Sequence, residues 1–170
     1  FKGWPLELPD LLTALELRGF GAVIAHPERA ESVQSMPDRM RDIVGRGALV
    51  QLTAASLTGD NGPRALRCAE HLLHVGFAHI IASDMHSPTW RPPGLAEGLA
   101  AAALMFHAKP DDLRWMVDDI PRAVLEGRDV RAPRLPGAPK PEPVKKRQRG
   151  GPGAGPGSRS PKPASPEGHR

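Results

Sequence analysis

Apolar and polar positions alternate along the chain between helical and extended spacing. Leu11, Leu12, Leu15 and Leu17 recur at helical spacing behind Asp10. Asp10 is expected to cap a short amphipathic helix that Gly19 ends, with residues 1–9 as loop. Residues 21–25, Gly-Ala-Val-Ile-Ala, predict a short buried strand, which Pro27 ends because it cannot donate to a ladder. Met36 and Pro37 open the next helix, Met40, Ile43 and Val44 form its stripe, and Gly45 or Gly47 stops it. Residues 48–53 predict a second strand, 56–62 a polar glycine-bearing loop, 63–75 a helix closed by Gly76, and 77–82 a third strand. Residues 95–107, 111–117 and 121–126 read as three closing helices.

That order is helix, strand, helix, strand, helix, strand and then helices. It signals an α/β domain with a mainly parallel sheet and helices packed outside. Three strands are too few to close a barrel, so the chain is expected to be the second half of a larger α/β domain. Phe1 opens directly into patterned sequence, which leads to the same expectation of a missing upstream part.

The pattern fails after residue 131. Residues 132–170 hold ten Pro and seven Gly, with Leu135 and Val144 as their only large aliphatics. Such a segment cannot bury enough apolar surface to offset its ordering entropy. The expected division is therefore a domain over residues 1–131 and a disordered basic tail over 132–170. The net charge of +4 belongs to that tail, which carries nine Lys or Arg against two Glu. The body has fourteen basic and seventeen acidic residues and shows no nucleic-acid face. The cluster Lys145-Lys-Arg-Gln-Arg149 is expected to aid solubility or to bind anionic surfaces without specificity.

Cys68 is the single cysteine, so an internal disulfide is excluded. It lies in a helical pattern with no anion-cradling loop and no Arg at the following sixth residue, where His74 stands. A cysteine-phosphatase role is therefore set aside. No residue run is long and apolar enough to suggest a membrane span, and the expected location is the cytoplasm.

The candidate chemistry sits at three strand ends. Asp84 and His86 are two residues apart just beyond the third strand, and extended geometry would turn them to one side. A carboxylate and an imidazole side by side can grip a divalent metal, although Asp followed by Ser and Pro also suits a turn or a cap. His26 and Arg29 follow the first strand, residues 51–56 follow the second, and Arg91 follows the third. In a parallel sheet these ends share one rim, which would gather two His, one Asp and two Arg. Such donors suit manganese, iron or zinc, and paired guanidinium groups suit a phosphate. The chemistry this points to is metal-assisted hydrolysis of a phosphoester. His71, His74 and His79 form a second cluster, for which a solvated surface is the expectation. Glu28 is left between pairing with a neighbour and metal ligation, and Trp90 between walling a pocket and plain packing.

The stretches Ala25-His-Pro-Glu-Arg29, Gln51-Leu-Thr-Ala-Ala-Ser56 with Gly59, and Ser83-Asp-Met-His-Ser87 with Arg91 carry a family resemblance. Together they resemble the bacterial manganese-dependent protein tyrosine phosphatases of capsule and exopolysaccharide operons, within the polymerase-and-histidinol-phosphatase (PHP) superfamily. The resemblance runs from about Leu11 to Gly127. It implies a distorted PHP-type β/α barrel, with His26, Asp84 and His86 as metal ligands at the rim and Arg29 and Arg91 on the phosphate. It also implies a metal-activated water as nucleophile. The implied partner is a phosphotyrosine protein, a bacterial tyrosine kinase of polysaccharide export. The family's amino-terminal half carries a His-x-His pair, a further acidic ligand and a bridging Glu, and none of these is present here. Glu7, the nearest acid to the start, lies in Pro-rich sequence. The chain on its own is accordingly expected to be inactive or nearly so, with the full-length protein the phosphatase. The alternatives are another PHP phosphoesterase, acting on histidinol phosphate or a nucleotide, and a catalytically dead binding module working through its tail.

Overall fold

A computed structural model describes residues 7–90, 92–130, 132–133 and 135. Three parallel strands form one sheet: β1 (Val23–Ala25), β2 (Leu49–Thr53) and β3 (Ile80–Ala82), in the order β1-β2-β3. Val23 pairs with Leu49 and Gln51 with Ile80, so the strands run in step and their carboxyl ends fall on one edge. In the central strand β2, Val50 and Leu52 are fully buried. All three strands are shorter than the sequence pattern suggests, and the flanking apolar residues Ala48, Phe77 and Ala78 are buried in the core outside the strands.

Helices α1 (Leu8–Leu17), α2 (Glu31–Ser35), α3 (Met40–Gly45), α4 (Ala54–Leu57), α5 (Pro63–His74), α6 (Leu95–Met105) and α7 (Asp119–Leu125) surround the sheet in sequence order. Three 3-10 turns, Pro27–Arg29, Pro37–Arg39 and Pro110–Met116, complete the described elements. The first helix begins ahead of Asp10, with Glu7 at its N-cap and Pro9 in its first turn, so Asp10 lies inside the helix and does not cap it. Pro9 explains the shift, because proline fits the first turn, where its missing N–H is no loss. The segment expected as loop from Ser56 begins inside α4, and the expected helix over residues 111–117 is a 3-10 turn.

Helix α5 shows how pattern becomes packing. Ala65, Cys68, Ala69, Leu72 and Leu73 are buried at spacings of three, one, three and one, a single stripe facing the core. Pro63 sits at its first turn, and Gly76 follows its end with φ +73°. Leu135 is 4% exposed and packs into the same core, four residues beyond the expected boundary at 131. Apart from residues 132, 133 and 135, the expected tail lies outside the described residues.

Close approach of α4 and α6 depends on Gly98. A Cβ there would stand 2.5 Å from the Ala54 Cβ and 2.7 Å from its Cα. In an open helix, Gly→Ala stabilises by about 1 kcal/mol. Here the neighbour is backbone that cannot swing away, and overpacking costs about 1–3 kcal/mol. Gly98→Ala is therefore expected to lower the urea midpoint. An unchanged or raised midpoint would show that α4 and α6 can separate without loss.

His79 joins β2 to β3 just before the ladder begins. Its N–H donates to the Val50 carbonyl at 2.9 Å, and its ring Nδ1 accepts the Val50 N–H at 3.0 Å. Burial lowers this imidazole from 6.5 to about 4. The unfolded chain takes up a proton between those values that the folded chain refuses. The stability from this site is thus complete above about pH 6.5 and is lost as pH falls toward 4. At about 1.4 kcal/mol per pH unit, the loss nears 3 kcal/mol. Urea unfolding of the parent between pH 7 and 4.5 is expected to show this slope, and His79→Gln, which keeps an acceptor for Val50, is expected to reduce it. Equal slopes in both proteins would place the acid sensitivity elsewhere.

Candidate active site

The carboxyl-end edge of the sheet carries the three predicted segments. After β1 the chain turns sharply: His26 adopts φ +40°, and Pro27–Arg29 form a 3-10 turn. After β3, Asp84 adopts φ +51°. Non-glycine residues at positive φ are uncommon among the described residues, and these two predicted ligands account for two of the three, His107 being the third. Left-handed backbone costs a side-chain-bearing residue roughly 1–3 kcal/mol and concentrates where function requires it. Asn, Asp and His bear it best, which fits the residue types found.

These turns bring Arg29 and Asp84 together across 55 positions of sequence. Arg29 Nη1 donates to Asp84 Oδ2 at 2.9 Å, with side-chain exposures of 28% and 19%. His86 Nδ1 lies 2.8 Å from the Asp84 backbone carbonyl and 3.9 Å from Asp84 Oδ1. The contact with the carbonyl requires the proton on Nδ1, which leaves the Nε2 lone pair free to face a cation. Asp84 and His86 are adjacent because of this local bond. Extended geometry does not align them, since β3 ends at Ala82. His26 is half-buried beside the turn, and its N–H donates to the Gln51 carbonyl at 2.8 Å. Arg91 lies outside the described residues.

The donor types suit a divalent cation, but their number does not complete a site. Among the described residues no three His, Cys, Asp or Glu side chains gather closely enough to hold a metal ion. One carboxylate oxygen of Asp84 is engaged by Arg29. The described residues therefore place one carboxylate, one imidazole and one guanidinium side by side.

Glu28 is the site residue whose part the sequence left open. It is fully buried, and its Oε1 accepts the Thr53 N–H at 2.9 Å and the Ser56 hydroxyl at 2.8 Å. Burial pushes its carboxyl above the usual range, while the Thr53 and Ser56 donors pull the other way. The structure thus pairs Glu28 with the end of β2. An acid placed between two strand-ending segments was the available signal; its direction was not readable.

A pocket of about 880 Å³ opens beside Arg29 and Ser83. Its lining includes Trp90, Pro92 and Pro93 together with Ala55, Thr58 and Asn61. Trp90 is 72% exposed, and its ring centroid lies 6.3 Å from that of His86. Trp90 thus stands exposed at this pocket, whose lining also includes the carboxylates of Asp60 and Glu97 beside the Arg29 guanidinium.

The other candidates are accounted for elsewhere in the fold. Cys68 is 3% exposed, and burial raises its thiol to about 12, so it carries no thiolate at neutral pH. His71 lies 3.4 Å from Asp38, and His74 bonds the Glu70 carbonyl and packs on Phe106. His79 is buried at the sheet, as described above, so the three imidazoles do not form one cluster. No helix of the described residues is long and apolar enough to cross a membrane.

The family model described as capsular polysaccharide synthesis, CpsB/CapC, matches residues 7–113. CapC of Staphylococcus aureus is 38% identical over 88 residues, covering 52% of this chain and 34% of that protein. The tyrosine-protein phosphatase YwqE of Bacillus subtilis is 29% identical over 149 residues, covering 87% of this chain and 55% of that one. A crystal structure from work on YwqE and on CpsB of Streptococcus pneumoniae, described as unique metal-dependent tyrosine phosphatases, superposes with a TM-score of 0.71 at 26% identity. That match covers 82% of this chain and 56% of the other. The chain thus spans about a third to just over half of the relatives it matches.

Proposed function

The chain belongs to the capsular polysaccharide synthesis CpsB/CapC family, and on that premise we propose that the whole protein is a metal-dependent phosphatase acting on phosphotyrosine in proteins. The observation that carries the reading is Arg29, which lines a pocket together with Trp90 and is paired with Asp84, with His86 beside that carboxylate. In this reading Arg29 and Arg91 hold the phosphate, and His26, Asp84 and His86 are metal ligands. The described residues supply only part of a metal site, so the activity is assigned to the whole protein and not to these residues alone. Manganese is the first cation to test, and a PHP-type barrel is the proposed frame of the complete domain. The proposed substrate is a tyrosine kinase of polysaccharide export, met in the cytoplasm.

What this chain's own residues do follows from their chemistry. Arg29 exchanges its bond to Asp84 for one to a phosphate oxygen, and its charge offsets the negative charge that grows during transfer. Trp90 and the prolines beside it hold the phenyl ring and keep the ester pointed at Arg29. His86 keeps its Nδ1 proton on the Asp84 carbonyl, which fixes the ring for whatever Nε2 faces.

The test is a substrate panel on the whole protein: phosphotyrosine peptide, histidinol phosphate and a phosphorylated oligonucleotide, each with manganese and again after chelation. The expected result is chelator-sensitive turnover with the phosphotyrosine peptide well ahead. Preference for histidinol phosphate or the oligonucleotide would move the protein to another phosphoesterase class. No turnover of any substrate would support a binding module.

A further inference from the structure

We propose that Glu28 is a positioning residue that sets the distance between the two walls of the pocket, acting as a hydrogen-bond acceptor and not as a ligand or a charge. The inference rests on the phosphatase reading above and assigns a device within the same site. Glu28 shares a single 3-10 turn with Arg29, so whatever fixes Glu28 fixes the base of the Arg29 side chain. Its Oε1 takes two donors from the opposite segment, the Thr53 N–H at the end of β2 and the Ser56 hydroxyl in α4. Ser56 Oγ in turn accepts the Asn61 side-chain amide at 3.0 Å. Asn61 and Arg29 both line the pocket. Donors and acceptors therefore run in one direction, from Asn61 through Ser56 to Glu28, and join one pocket wall to the turn that carries the other.

The backbone of the turn is held as well. Gln34 donates its side-chain amide to the Glu28 carbonyl at 2.9 Å, which ties the turn to α2. The other carboxylate oxygen, Oε2, is buried and has no partner among the described residues. Among the described residues, one oxygen of Glu28 thus takes both donors from the β2–α4 segment, and glutamine can supply that oxygen. A carboxylate serving as a cation ligand would need its charge, and glutamine would fail there as fully as alanine.

The experiment compares Glu28→Gln and Glu28→Ala in the whole protein, with Ser56→Ala as a milder variant that removes the Ser56 bonds to Glu28 and Asn61 and leaves the Thr53 bond in place. For phosphotyrosine peptide, Glu28→Gln is expected to stay within about threefold of the parental kcat/KM. Glu28→Ala is expected to fall about 10²-fold, the scale of an ångström of misplacement at a transfer site. Ser56→Ala is expected to lie between them, with its loss mainly in KM. Amide hydrogen exchange at Thr53 gives a readout independent of turnover: protection is retained in Glu28→Gln and lost in Glu28→Ala. If the parent does not hydrolyse phosphotyrosine, the functional reading fails, and the Thr53 exchange pattern alone decides whether Glu28 acts through its acceptor. If Glu28→Ala does not fold, the comparison of Glu28→Gln with Ser56→Ala decides. Glu28→Gln as damaged as Glu28→Ala or worse than Ser56→Ala would overturn the proposal, as would a folded Glu28→Ala with parental kcat/KM.

Discussion

Arg29→Ala in the whole protein lowers kcat/KM for a phosphotyrosine peptide by about 10²- to 10³-fold, the range seen when one preorganised donor is removed from a developing anion. The expectation rests on where Arg29 stands. Its guanidinium lines the pocket and bonds Asp84, and the turn carrying it is held to β2 through Glu28. Its side chain is only partly exposed, so its hydrogen bonds meet less competition from water than those of a surface arginine. Folding is expected to survive, because the apolar core does not include it. Arg29→Lys separates charge from shape: lysine keeps the charge and loses the planar fork, and is expected to recover only a small part of the rate. Steady-state kinetics on the three proteins checks this. Equal kcat/KM in all three would remove Arg29 from the site.

Asp84→Asn is expected to cost more, about 10³-fold in kcat/KM, with little change in stability. Asparagine is the informative replacement because it tolerates the left-handed backbone at φ +51° that alanine resists. It also keeps the backbone carbonyl that accepts the His86 ring. What it removes is the negative charge, and with that both the charged partner of Arg29 and the strongest cation-attracting group among the described site residues. The two effects can be told apart. Arg29→Ala is expected to raise KM for the peptide and to leave the manganese concentration at half-activity near its parental value. Asp84→Asn is expected to raise that manganese concentration at least tenfold. The double variant is expected to lose less than the sum of the two losses, since the residues share one contact. Additive losses would mean that they serve separate sites.

Much of this arrangement was readable from residue order. Three short apolar runs separated by helical stripes specify parallel strands, and polar motifs directly after those runs specify a shared edge. Helix α5 was legible almost residue by residue, because its stripe is long and is bounded by Pro63 and Gly76. The short elements were less legible for a physical reason. Helix α4 spans only Ala54–Leu57, too few residues to show a period, and its place is set by contact with Gly98. Asp10 has a capping side chain, but Pro9 lets the helix start earlier.

At the site, Asp84 and His86 lie together for a reason other than the one their spacing suggested. Asp84 and His86 meet because a left-handed residue and a side-chain-to-carbonyl bond fold the loop back on itself. Backbone of that kind is set by its surroundings and leaves no periodicity to read. Glu28 was harder still, since an acidic residue gives no sign in sequence that it is fully buried. Its partners, Thr53 and Ser56, come from a segment that only the parallel pairing of β1 and β2 brings alongside.

The most direct test is a crystal structure of the whole protein grown with phosphate and manganese. The account predicts a phosphate oxygen within hydrogen-bond distance of Arg29 at the mouth of the Trp90 pocket, with the Arg29–Asp84 bond broken and Asp84 and His86 turned toward the cation. A phosphate bound elsewhere while the Arg29–Asp84 bond stays closed would contradict it.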